Sequence, residues 1–168
     1  MFVRVCCRRR QMRTKVLEER GRKMISCTEF IPAYSELFKF LEQKGGKAAV
    51  VKFWEHLSDA FLTNLRDLVT QKGVAGCFEY WSHTLSEEAA DFKMTLDEEN
   101  QVFTIEMRNC PSKGRLLERK DIEPYHAYCE HCDLLYRRVL EPLGFEYSYD
   151  FSGIEKASCK LTVRARSK

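Results

Sequence analysis

"FKMTLDEENQVFTIEMRNC", residues 92–110, decides the fold. Phe92, Met94 and Leu96 alternate with polar residues, a polar loop follows at Asp97 to Asn100, and Phe103, Ile105 and Met107 alternate again. A period of two is what a strand with one face on a core requires, so the stretch reads as a β-hairpin with a four-residue connection. Upstream the period is helical. From Thr28 to Leu41 the residues Phe30, Ile31, Tyr34, Leu37, Phe38 and Leu41 recur at steps of three and four, and Gly45-Gly46 supplies a turn. In residues 47–73 a stripe of Val50, Trp54, Leu57, Phe61, Leu65 and Leu68 predicts a longer helix stopped by Gly73, with His56 on its solvated side. "VAGCFEYWSHTLSEEA", residues 74–89, predicts a third. Downstream, Pro111 and Gly114 predict irregular backbone over 111–123. Pro124 then opens a fourth helix running to about Leu140 and ending before Gly144. "FEYSYDFS" and "ASCKLTVRA" alternate like strands. The expected class is α+β: N-terminal helices, then an antiparallel four-stranded sheet of two hairpins with a crossing helix between them.

With 168 residues, 44% of them hydrophobic, the chain has material for one core. No stretch approaches eighteen consecutive apolar residues, so no membrane span is expected. The net charge of +3 is unevenly spread: residues 1–23 hold nine Lys/Arg against two Glu, a net +7, which leaves −4 on the rest. Residues 1–23 are expected to be a disordered basic leader and 24–168 a single α+β domain. A basic arm suits nucleic acid or anionic lipid, but this one lacks aromatic interleaving and any zinc-finger or helix-turn-helix motif, which argues against nucleic acid. No apolar segment follows the arginines, which argues against a secretory signal. Eight cysteines without such a signal point to reduced thiols and a cytoplasmic location. A homo-oligomer is compatible with the sequence.

The thiols carry the functional question. In "YCEHCDLLYRRVL", residues 128–140, Cys129 and Cys132 are three apart and share a helical stripe with Tyr136 and Leu140. Three readings stand side by side. Cys129 and Cys132 with Cys110 and Cys159 offer four thiolates to a tetrahedral zinc if the strand ends converge on the helix. Cys110, Cys129 and Cys132, with His126 and Asp133, offer a nucleophile and base or an activated water. Buried thiols also serve as small core residues. His131, beside Cys132, is expected to turn partly outward. Arg108, Lys113 and Arg115 flank Cys110 and suit a substrate carboxylate.

These residues carry a resemblance. "FTIEMRNCPSKGRLLE", "PYHAYCEHCDLLYRRVLEPLG" and the closing "ASCKLTV" resemble the L-2-amino-thiazoline-4-carboxylic acid hydrolase family: a strand ending in Cys-Pro, a Tyr-Cys-x-x-Cys-Asp segment and a cysteine-bearing last strand. That family is in turn similar to small-molecule-binding domains of the 4-vinyl reductase type. The likeness covers about Phe103 to Val163. It departs in the closing segment: where a Gly-Asp turn is expected shortly before the last cysteine, "GIEKASC" has Gly153 six residues before Cys159 and no Asp. The resemblance implies an α+β fold around a ligand pocket and a hydrolase that opens a cyclic C=N bond with activated water. It singles out Cys110, Tyr128, Cys129, Cys132, Asp133 and Cys159, with Tyr128 expected to bind substrate beside Arg108, Lys113 and Arg115. The alternative is a non-catalytic small-ligand- or metal-binding sensor of the same type. No cofactor is named beyond a zinc ion as one reading.

Overall fold

The computed structural model describes residues 14–19, 29–86 and 90–166. It is an α+β domain built on a five-stranded, wholly antiparallel sheet. The strands are β1 (Thr14–Glu19), β2 (Asp91–Asp97), β3 (Val102–Asn109), β4 (Phe145–Asp150) and β5 (Cys159–Ala165), in the spatial order β1-β2-β3-β5-β4. The expected number was four. The fifth strand is β1, which lies inside the basic leader expected to be disordered; the remainder of that leader lies outside the described residues. "TKVLEE" pairs along the edge of β2 and packs Leu17 against the core, a small apolar gain to which the leader's charge is indifferent.

The central hairpin forms as its alternation dictates. Phe92, Met94, Leu96, Phe103 and Ile105 are buried, and Asp97 Oδ1 accepts the backbone N–H groups of Glu99 and Asn100 to close the turn. The opposite face of the sheet stays polar. One register row across all five strands reads Glu18, Lys93, Glu106, Lys160, Asp150, alternating in charge so that each neighbour pair attracts.

Five helices cover the apolar face and the end of the sheet. The first, α1 (Phe30–Phe61), kinks at Gly45-Gly46, where Gly46 takes φ 68°, a conformation other residues adopt only with strain. The long helix expected over 47–73 is broken at Leu62 (φ −98°, ψ 22°), so α2 (Thr63–Lys72) and α3 (Val74–Ser86) follow as separate pieces. Burying Leu62 against the sheet demands this change of direction, because one straight helix cannot serve both halves of the core. Residues expected to be irregular after β3 form α4 (Pro111–Glu118). Cys110 is its N-cap, with Sγ accepting the N–H of Lys113 at 3.4 Å, and Pro111 occupies N1, where its missing donor costs nothing. The helix expected from Pro124 begins later, as α5 (Glu130–Leu140); residues 126–129 are turns.

Two apolar clusters result. The larger joins Leu65, Cys77, Trp81 and Val139 to the sheet face. The smaller gathers Phe38, Val50 and Trp54 of α1 around Leu116, Tyr125 and Tyr128. The α2–α3 contact depends on Gly76, where a Cβ would stand 2.3 Å from the Leu68 carbonyl oxygen. Gly76→Ala is therefore expected to destabilise the domain by about 2 kcal/mol through forced separation of the helices. Urea unfolding measures it; an unchanged midpoint would show that the helices yield freely.

Candidate functional site

The two clusters leave a seam, and the thiols meet there. Cys110 caps α4, Cys129 is the N-cap of α5, Cys132 lies in the first turn of α5, and Cys159 opens β5. The Cys110 N–H donates to the Ala157 carbonyl at 2.7 Å, which ties the start of α4 to the loop before β5. All four cysteines, with His131 and Lys113, line one chamber of about 20 Å³. That volume admits a single water-sized group. Two wider clefts share its walls. One, of about 390 Å³, shares Ser112, Tyr128 and His131 and is otherwise faced by apolar residues of α1 such as Tyr34 and Leu37. The other, of about 450 Å³, shares Cys129 and Ile154 and carries His126 and Asp133 on its wall.

His131 stands at the centre of this site. Its ring stands among those of Tyr34, Phe38, Trp54 and Tyr128, at centroid distances of 5.6, 5.7, 6.4 and 4.9 Å. Enclosure by these rings lowers its pKa from 6.5 to about 4, against the opposing pull of its bond to the Tyr128 backbone. The imidazole is therefore neutral at pH 7. Because the Tyr128 carbonyl oxygen only accepts, Nδ1 carries the proton and donates to it. Nε2 is left as an acceptor, and the Cys132 thiol lies 3.4 Å from it. Thiol, imidazole and orienting carbonyl thus form a relay of the kind that activates a nucleophile.

The depressed pKa has a stability consequence. Between pH 6.5 and 4 the unfolded chain takes up a proton that the folded chain refuses, so stability falls as pH drops through that window and levels off below it. The loss attributable to His131 is about 3 kcal/mol, from roughly 1.4 kcal/mol per pKa unit. Urea unfolding at pH 7.5 and pH 4, compared with a His131→Asn chain, isolates it. Equal pH dependence in the two chains would assign the loss to other groups.

Burial holds Cys129 and Cys159 protonated. Burial raises the Cys129 pKa, with the Lys113 ammonium pulling the other way and Cys159 and Glu155 adding to the rise. Burial likewise pushes Cys159 up to about 11, partly offset by its hydrogen bond from Tyr149. Neither is a ready thiolate at neutral pH.

The remaining candidates fall in three places. Tyr128 is buried, its hydroxyl 2.6 Å from Ser112 Oγ on the chamber wall. His126 and Asp133 face the 450 Å³ cleft rather than the chamber; His126 Nε2 is 3.2 Å from Glu42, and Asp133 forms an ion pair with Arg137 at 2.7 Å. Arg108 lines neither, clamping Asp91 and Glu18 across the sheet edge at 2.7 and 2.9 Å. Arg115 pairs with Glu118 on α4. Lys113 alone of the three flanking cations lines the chamber, and it is only 8% exposed. Sequence reasoning set His131 aside as turned outward, since its helical phase differs from that of Cys132. The signal that finds it is the three-residue step back to Tyr128, whose carbonyl a histidine in the first turn can reach.

The four thiols of the metal reading, Cys110, Cys129, Cys132 and Cys159, are brought to one place. They share a chamber, yet among the described residues no three His, Cys, Asp or Glu side chains are placed to hold a metal ion. The sulfurs have separate duties: Cys110 caps α4, Cys132 meets His131 and Cys159 meets Tyr149. The Lys113 ammonium beside them also opposes a cation. Among the described residues no cysteine forms a disulfide.

No family model, no curated protein and no solved structure matches the chain. Among the described residues no helix is long and apolar enough to cross a membrane.

Proposed function

We propose that this chain is a small-molecule hydrolase acting on a non-peptide C–N bond, adding water across the C=N bond of a small heterocycle such as an amino-thiazoline acid. The observation that carries the reading is the neutral His131, oriented by the Tyr128 carbonyl, with Nε2 3.4 Å from Cys132, on the wall common to the chamber and the 390 Å³ cleft, which holds the attacking water. The substrate lies in the cleft that shares His131, whose 390 Å³ suits a single ring. His131 Nε2 takes a proton from water as its oxygen bonds to the amidine carbon. The C=N π bond opens as the ring nitrogen accepts that proton from the imidazolium; the hydroxyl proton then passes to the same nitrogen as the ring C–N bond breaks, releasing an amine and leaving the oxygen on carbon as a carbonyl. The Cys132 S–H turns away from Nε2 when water takes its place, because that nitrogen has a single lone pair. A reducing compartment such as the cytoplasm suits cysteines that form no disulfide.

The test is incubation with L-2-amino-thiazoline-4-carboxylate, followed by mass spectrometry for a product heavier by one water. Cys132→Ala is expected to retain turnover within about tenfold, since water attacks and sulfur does not. A loss of the size expected for a disabled base would make the sulfur the nucleophile. A second reading has its own support: apart from Ser112, Tyr128 and His131, the same cleft is walled by Phe30, Ile31, Ala33, Tyr34 and Leu37. Saturable binding without turnover would favour the non-catalytic ligand-binding module.

A further inference from the structure

We propose that the thiol chamber is a carboxylate subsite, in which the Lys113 ammonium receives the acid group of a small organic acid whose ring occupies the cleft shared with His131. The inference deepens the proposed function and takes the ring chemistry from it; the charge argument stands on Lys113 itself. Lys113 is 8% exposed, and among the described residues its ammonium has no carboxylate partner and no hydrogen-bond acceptor. An ammonium at the mouth of a largely enclosed chamber, with no counter-charge of its own, gains from an anion brought beside it. The nearby carboxylates do not supply one. Glu130 is bound to Lys47 at 2.8 Å and Asp133 to Arg137 at 2.7 Å, while Glu155 is exposed and makes no ion pair with it.

Two further features favour an anion at this point. Lys113 sits in the first turn of α4, where the helix dipole presents its positive end, and Cys110 Sγ is the weak acceptor that caps it. The chamber also sets the size of the anion. A volume of about 20 Å³ takes one oxygen of a planar carboxylate whose other atoms extend into the cleft, whereas a tetrahedral phosphate needs more room on every side. Ser112 and Tyr128, hydrogen-bonded to each other at 2.6 Å, stand on the wall common to both spaces and have hydroxyls to offer the second oxygen.

Calorimetric titration of the full chain with thiazolidine-4-carboxylate and with the matching carboxamide tests the subsite, because the two probes differ chiefly in charge. The acid is expected to bind at least about tenfold more tightly, as a paired buried charge allows. Lys113→Met should erase that preference and Lys113→Arg should restore part of it. Equal affinity for the two probes, or a Lys113→Met chain that keeps the preference, overturns the proposal. Should Lys113→Met fail to fold, alkylation of Cys129 by iodoacetamide in the unaltered chain gives a second readout. The acid should slow it and the amide should not; no difference overturns the subsite. Acid-selective binding without turnover of the amino-thiazoline acid retains the subsite and removes the hydrolase. Turnover whose KM is unchanged in Lys113→Met does the reverse.

Discussion

His131→Asn is expected to lower turnover of the amino-thiazoline acid by about 10²–10⁴-fold, the range that loss of a positioned general base produces. Asparagine is chosen for what it keeps. Its amide nitrogen stands near the position of Nδ1 and donates to the Tyr128 carbonyl, so the first turn of α5 retains that bond. Nothing replaces Nε2, and the thiol of Cys132 loses its acceptor. The melting temperature should consequently move by only a few degrees while activity collapses. The pH profile of any turnover by the unaltered chain supplies an independent check. Activity should persist to mildly acidic pH and fall away near 4, following the displaced imidazole rather than an ordinary histidine. An acidic limb near 6.5, or full turnover in the asparagine variant, would remove His131 from the chemistry.

The hairpin of β2 and β3 and the helical periods before it were legible because one-sided burial writes its period directly into the residues. What escaped was set by partners distant in the chain. The strand β1 has only Leu17 packed on the core, so its pairing with β2 is decided by the edge that β2 offers and not by its own pattern. Helix α4 was hidden by Pro111 and Gly114; Pro111 fits N1, and Cys110 is an unusual cap whose sulfur does the work of an oxygen. Helix α5 starts six residues after Pro124, because Tyr125 is drawn toward α1, its N–H bound to Ser35 Oγ at 2.8 Å and its hydroxyl to Glu42 at 2.9 Å. The same displacement separates the two histidines. His126 goes outward with the turn, to Glu42, and His131 is carried into the aromatic rings. The cysteine spacing does reach the chamber, whereas the burial of Lys113 depends on a helix that the local residues argue against.

Phe38→Ala is expected to cost about 4 kcal/mol, within the range for deleting a buried phenylalanine ring. Phe38 is fully buried and its ring lies 4.2 Å from that of Tyr34, 5.2 Å from Trp54 and 5.7 Å from both Tyr125 and His131. Those side chains belong to both halves of α1, to the turn before α5 and to α5 itself. The kink at Gly45-Gly46 prevents the halves from collapsing together along a single axis, so the lost volume remains largely as a cavity. Destabilisation is only part of the effect. Removing the ring thins the enclosure that keeps His131 neutral, and water entering beside it restores part of the imidazole's hydration. Its pKa should rise from about 4 toward 6.5, and the pH dependence of stability between those values should shrink with it. Phe38→Leu separates packing volume from aromatic enclosure: it refills much of the space at a cost of about 1 kcal/mol, and should leave the imidazole low. Urea unfolding gives the first quantity and the imidazole NMR titration the second. A Phe38→Ala chain that unfolds with unaltered His131 titration would mean that the other three rings suffice, and that the histidine is held neutral by its place at the head of α5.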